Sequence, residues 1–260
     1  MTSKEDLIKD KLTELGTKLG RPDIILIVYN PYKEEGIQKK DADYLMYLFE
    51  NVTFSAPLIV LSGHGGDWKT GVLFPYIIKK KVNSYKVCVP YTCSSALCYT
   101  LFKAEELWTG EKTKLTQIDP IFEHEGEWRR AIKNIRSIDP SLKEKARKTF
   151  DLAQKHVNEL SKPPSVFRYK NMYPDEFQHR EIIIESFMNK DDHMEELIQK
   201  DLVDLEVKMK EMEEDADKIA KEVVELCQDF TIEKDVRVVF ASSKEIPAEG
   251  EEGYYLAPLN

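Results

Sequence analysis

Apolar and polar positions follow two regimes along the chain. In the first half, "DIILIVY" (23–29), "PLIVLSG" (57–63) and "YKVCVPY" (85–91) are unbroken apolar runs of strand length bounded by proline, asparagine or glycine. Such runs are expected of strands covered on both faces. The intervening "KKDADYLMYLFENV" carries Tyr44, Leu45, Leu48 and Phe49 on one helical stripe. "TGVLFPYIIKKKV" (70–82) reads as a second helix, with a late start or a kink at Pro75. Strands alternating with helices predict a mainly parallel sheet built from right-handed βαβ units.

From about residue 129 the pattern turns helical. "SLKEKARKTFDLAQKHVNEL" opens with Ser141 and Glu144 at capping-box spacing and places Leu142, Ala146, Phe150, Ala153, Val157 and Leu160 on one stripe. "EIIIESF" (181–187) fits strand or helix. Leu202, Leu205, Met209, Met212, Ala216, Ile219, Val223 and Leu226 form a heptad seam, to be covered by the chain's own domain, a second subunit or a partner. "DVRVVFASS" (235–243) reads as a last strand. The expected organisation is an α/β domain over 1–200, a heptad-patterned helical extension over 201–230, and a terminal strand and tail over 231–260.

A net charge of −9 argues against nucleic acid, which needs a concentrated basic face. No apolar run reaches the roughly 18 residues of a membrane span, and the opening "MTSKEDLIKDKLTELGTKLG" has helical rather than secretory patterning. A soluble, cytoplasmic protein is expected. Cys88, Cys93 and Cys98 lie five apart, which is neither zinc-knuckle nor redox-pair spacing, so they read as small core residues with no metal.

Two stretches carry candidate chemistry. "LSGHGGDWKTG" (61–71) follows a strand, and its glycines leave amide N–H groups unshielded, suited to an anion or a developing oxyanion. It has neither phosphate-loop nor dinucleotide spacing, and a ligand-free tight turn fits the glycines equally well. "CVPYTCSSALCYT" (88–100) sets adjacent serines in an apolar run with no local base.

In order and spacing, "SGHGGDWKTG", "VPYTCSSA" and "AEELWTGEKTKLTQIDPIF" resemble the Clp protease/crotonase superfamily, and within it the serine dehydrogenase proteinase group, relatives of signal peptide peptidase A. The resemblance spans roughly residues 24–122 and continues more weakly to about 209. It implies a Clp protease/crotonase-like spiral of βαβ units with a C-terminal helical extension. It also implies a serine hydrolase, a peptidase acting through an acyl-enzyme on Ser95, with Gly65 and Gly66 in the oxyanion loop and Ala96 as second amide donor. His193 falls on a histidine of that group and would be the base, while Asp119 stands where the Clp protease subunit has its histidine and, in a swapped arrangement, would orient the imidazole; Lys190, Lys133 and His64 are runner-up bases. A peptide or protein substrate, a homo-oligomer, contacts through 202–226 and no cofactor follow. The chain departs from the pattern at His64, at Thr116-Gln117, at Met194 and at Glu196. A catalytically degenerate scaffold that uses its C-terminal helix is the alternative, and a crotonase-like acyl-CoA enzyme ranks last.

Overall fold

The computed structural model describes residues 3–33, 36–167, 176–188, 196–197, 199–244 and 254–257, with side chains for 3–33, 36–167, 181–188, 197 and 201–244. The elements in chain order are α1 (Lys4–Leu19), β1 (Ile24–Tyr29), α2 (Lys39–Asn51), β2 (Leu58–Ser62), α3 (Trp68–Lys81), β3 (Lys86–Val89) and β4 (Thr92–Cys93). A 3₁₀ turn (Ser95–Cys98) then runs into α4 (Tyr99–Phe102), followed by β5 (Leu107–Thr109), β6 (Lys114–Thr116), β7 (Ile121–His124) and β8 (Glu127–Arg130). The later part comprises α5 (Ala131–Asn134), α6 (Pro140–Ser161), α7 (Glu176–Met188), β9 (Glu196–Leu197), α8 (Gln199–Asp204), β10 (Met209–Glu211), α9 (Glu214–Glu233), β11 (Val238–Ser242) and β12 (Tyr254–Ala257).

Among the described residues, seven strands form one sheet in the order β10-β5-β3-β2-β1-β11-β12. Every pairing is parallel except β1 with β11, which run antiparallel with Ile27 opposite Phe240. The chain is therefore a mixed α/β protein with a mostly parallel sheet. All six residues of β1 are buried because successive side chains enter opposite layers. Ile25, Ile27 and Tyr29 join α2, α3 and α4 on one face, whereas Ile24, Leu26 and Val28 meet α1 and α9 on the other.

Local chemistry sets the helix ends. Ser3 Oγ accepts from the Asp6 N–H and Gly20 closes α1 at φ 60°. Asp67 caps α3, which begins ahead of Thr70 and carries the buried Pro75 internally. α6 starts at Pro140, capped by Asp139 rather than Ser141, because a proline at the first helical position sacrifices no helical N–H bond. Its expected apolar stripe is buried in full. Residues 181–187 are helical within α7.

The heptad seam is not one helix. The Glu206 N–H donates to Val203 O and the Val207 N–H to Leu202 O, with Glu206 at φ 52°, a left-handed cap that stops α8. Met209–Glu211 then pairs with β5, and only from Glu214 does the helix resume. Ala216, Ile219, Val223 and Cys227 of α9 pack on α1 and the sheet. A periodicity count cannot see a cap that uses a non-glycine residue.

Candidate active site

The glycine loop that follows β2 is held on both sides by backbone hydrogen bonds. Toward β4, the Gly63 N–H donates to Thr92 O (3.0 Å) and the Ser94 N–H to Gly63 O (3.1 Å). On the other side, the Ile37 N–H donates to Gly65 O and the Asp67 N–H to Ile37 O, both at 2.8 Å. Those two bonds flank Gly66, so in this parallel bridge the Gly66 N–H faces away from Ile37. Gly66 sits at φ 133°, and a Cβ there would lie 2.2 Å from the Ile37 nitrogen. At Gly65 a Cβ would lie 2.4 Å from Ser95 Cβ and 2.8 Å from Ser95 Oγ. Both glycines are required by close approach.

Ser95 occupies the turn between β4 and the 3₁₀ segment at φ 47°, in the left-handed region, where an L side chain is strained by of order 1 kcal/mol or more. Its N–H donates to Thr116 Oγ1 (3.0 Å), and the residue is 8% exposed. The Cys98 thiol lies 3.0 Å from Cys93 O and 3.3 Å from Thr116 O, cross-linking the turn to β6. Gly71 of α3 permits the approach from the other side, since a Cβ there would lie 2.4 Å from Ala96 O. Among the described residues neither the Gly66 nor the Ala96 N–H donates a hydrogen bond. The Ala96 nitrogen lies 3.0 Å from the ideal Cβ position of Gly65. Gly65, Gly66, Ser95 and Ala96 are thus brought together.

Burial pushes the Cys93 thiol well above its ordinary value, with the Cys98 contact adding to it, and burial does the same to Cys88 and Cys227. All four cysteines are free and buried.

Asp119 lies three residues beyond β6, whose last residue, Thr116, holds the Ser95 turn. It is 6% exposed, and its Oδ2 accepts from Arg130 Nε, while Oδ1 is buried and has no hydrogen-bond partner among the described residues. His193 and Lys190 lie outside the described residues. The chain on either side of them is fastened to β6 or to the segment that follows it. The Ile118 N–H donates to Phe187 O (2.7 Å), and Leu115 and Thr116 pair with Leu197 and Glu196.

The other candidate bases fall elsewhere. His64 is exposed, its Nε2 3.0 Å from Pro31 O, and Lys133 is exposed on α5. His124 is buried on β7, whose alternation turns it inward with Phe122; its Nε2 is 3.7 Å from Asp139 Oδ2. His156 is half-buried beside Trp68, and burial lowers its pKa. His179 has no described side chain.

Sequence reasoning missed Thr116 and Arg130 as neighbours of the site. Thr116 entered only as a departure from the family pattern, yet its hydroxyl anchors the Ser95 turn. The signal for both is positional: each lies on a strand whose short length hides its register.

No family profile matches the chain, and no curated protein does. Among solved structures, a mutant ClpP1 from Listeria monocytogenes is similar over 78% of this chain and 99% of that one, at 15% identity and a TM-score of 0.46. At that level the likeness carries no functional argument. Among the described residues no helix is long and apolar enough to cross a membrane.

Proposed function

We propose that the chain is a serine hydrolase of peptidase type, with Ser95 as nucleophile and the amides of Gly66 and Ala96 as oxyanion donors. The observation that carries this reading is the left-handed backbone of Ser95, wedged against a glycine that leaves no room for a side chain and beside two uncommitted N–H groups. Strained, non-glycine turns persist where surrounding structure over-determines them, and a strand-to-helix turn of this kind presents an oxygen nucleophile to a carbonyl.

In the proposed reaction, Ser95 Oγ bonds to the scissile carbonyl carbon and its proton passes to His193. The two amides stabilise the resulting oxyanion. Collapse breaks the C–N bond, the amine leaves with the proton from His193, and water then hydrolyses the acyl-enzyme. Asp119 accepts from the imidazole through Oδ1, the buried oxygen that Arg130 leaves unpaired. The swapped chain order of base and acid is acceptable because geometry defines such a triad. What supports His193 over His64 is that residues 196–197 pair with β6, which holds Ser95, and residue 187 is bonded to Ile118 just beyond it, whereas His64 is engaged at Pro31. Lys190 shares that segment and is the runner-up. The wider proposal is a Clp protease/crotonase-like spiral that assembles as a homo-oligomer in the cytoplasm and takes peptide or protein substrates.

A fluorophosphonate probe tests the reading. Ser95 is expected to label in the purified protein, and Ser95→Ala to lose labelling and peptide hydrolysis by about 10³-fold or more while Ser94→Ala retains both. Absence of labelling in folded protein would favour the non-catalytic scaffold, and transfer of the loss to Ser94→Ala would refute the assignment.

A further inference from the structure

A second buried constellation, outside the residues placed in the reaction, lies behind the glycine loop. Arg237, at the entry to β11, and Asp41, in the first turn of α2, are 196 residues apart in sequence and form a two-pronged ion pair. Arg237 Nη1 donates to Asp41 Oδ2 at 2.8 Å and Nη2 donates to Oδ1. Asp41 is fully buried and Arg237 is 5% exposed. The carboxylate also accepts from Tyr29 Oη (3.0 Å) and from the Gln38 N–H (2.8 Å). Arg237 Nη1 in addition donates to the carbonyl of Gly36 at 2.7 Å.

The pair thus holds residue 36 from one side and residue 38 from the other. Between them Ile37 forms the bridge to the glycine loop, through its N–H to Gly65 O and its carbonyl to the Asp67 N–H. Gly36 lies so close to that loop that a Cβ would fall 1.9 Å from Gly65 O. Removing two charges from water is unfavourable, and apolar residues of similar volume commonly replace a buried ion pair without loss of stability. A guanidinium fork adds direction, because its donors are fixed in one plane. Here that direction is used on the carbonyl one residue before the segment that determines which way the Gly66 N–H points.

We propose that Asp41 and Arg237 are positioning residues for the Gly65–Gly66 amides: they hold the 36–38 segment in register so that the Gly66 N–H is aimed at the Ser95 oxygen's reaction partner. This rests on the reading of that loop as an oxyanion cradle. It makes the entry to β11 part of the frame of the site, rather than a separate terminal element.

The test uses the full chain and three variants, Arg237→Lys, Arg237→Met and the double Asp41→Leu/Arg237→Met, with two readouts. The first is amide hydrogen exchange at Ile37 and Asp67, whose N–H groups make the bridge. The second is fluorophosphonate labelling of Ser95, with kcat and KM for an activated ester. The double variant is expected to melt within a few degrees of the unsubstituted protein. In it, exchange at Ile37 and Asp67 rises at least tenfold while β2 amides are unchanged. Labelling and kcat fall at least tenfold with KM nearly unaltered. Arg237→Lys retains the charge without the planar fork and is expected to fold and to show a smaller change of the same kind, which covers failure of the other variants to fold. A merely structural role predicts instead that labelling follows melting temperature across the series. A folded double variant with unaltered exchange at both amides overturns the proposal. If the unsubstituted protein does not label, the hydrolase reading fails, and the exchange data alone then decide whether the pair positions the loop.

Discussion

Two buried carboxylates, Asp41 and Asp119, each pair with an arginine, and they differ in how completely they are satisfied. Asp41 uses both oxygens, toward Arg237, Tyr29 and Gln38, and is fully enclosed. Asp119 pairs through Oδ2 with an arginine whose side chain is 26% exposed, and keeps Oδ1 buried and unpartnered. A buried acceptor without a partner costs roughly 1–3 kcal/mol. Its persistence separates a group with capacity for a further donor from one whose hydrogen bonding is complete. The first pair behaves as frame and the second as a candidate participant in chemistry.

Asp119→Asn is the sharpest way to break that distinction. The amide is nearly isosteric, yet it presents a donor or a weaker acceptor to the imidazole. The expected loss in kcat is about 10³- to 10⁴-fold, or roughly 4–5.5 kcal/mol on the barrier, with little change in melting temperature. Steady-state hydrolysis and a urea titration on the same preparation measure both; a large stability loss with activity retained would place Asp119 in the frame instead. Asp41→Asn should do the reverse. It leaves Arg237 buried without its counter-charge, for an expected destabilisation of about 3–5 kcal/mol, read as a fall in the urea midpoint. A midpoint within error of the unsubstituted protein would remove the case for Asp41 as frame.

The same contrast shows what the sequence could convey. β1, β2 and β3 were legible because unbroken apolar runs admit few other readings, and the α6 stripe was legible because its period is regular over five turns. The glycine loop and the Ser95 turn stood out through local composition and a family resemblance. The later half was misread where a single residue changes the outcome: Glu206 in a left-handed cap splits the heptad pattern, and Pro140 moves the start of α6. The Asp41–Arg237 pair left no trace. Asp41 sits among charged residues at a helix start, Arg237 just ahead of an apolar strand, and their meeting depends on β11 lying antiparallel beside β1. Long-range polar partnerships carry no period and no motif, so only the assembled sheet displays them.

A third carboxylate marks the weak end of the scale. Asp23 accepts from Lys244 Nζ at 2.8 Å and from the Ser55 N–H at 2.8 Å, and the lysine side chain is 38% exposed. Burial would raise the Asp23 pKa, but the hydrogen bonds from Lys244 and Ser55 outweigh it, so the folded carboxyl lies below its ordinary value. A depressed carboxyl stabilises the fold above the unfolded pKa of about 3.9, and that contribution disappears as pH falls through the lower folded value. Lys244→Met should therefore cost under about 1 kcal/mol at pH 7, because solvent screens the exposed partner. The difference between the variant and the unsubstituted protein should shrink toward zero as Asp23 protonates. Urea midpoints measured from pH 7 down to the onset of acid unfolding report it. A deficit that stays constant over that range would mean that Lys244 contributes through the Phe54 ring and its hydrogen bond to Thr53 O rather than through the Asp23 carboxylate.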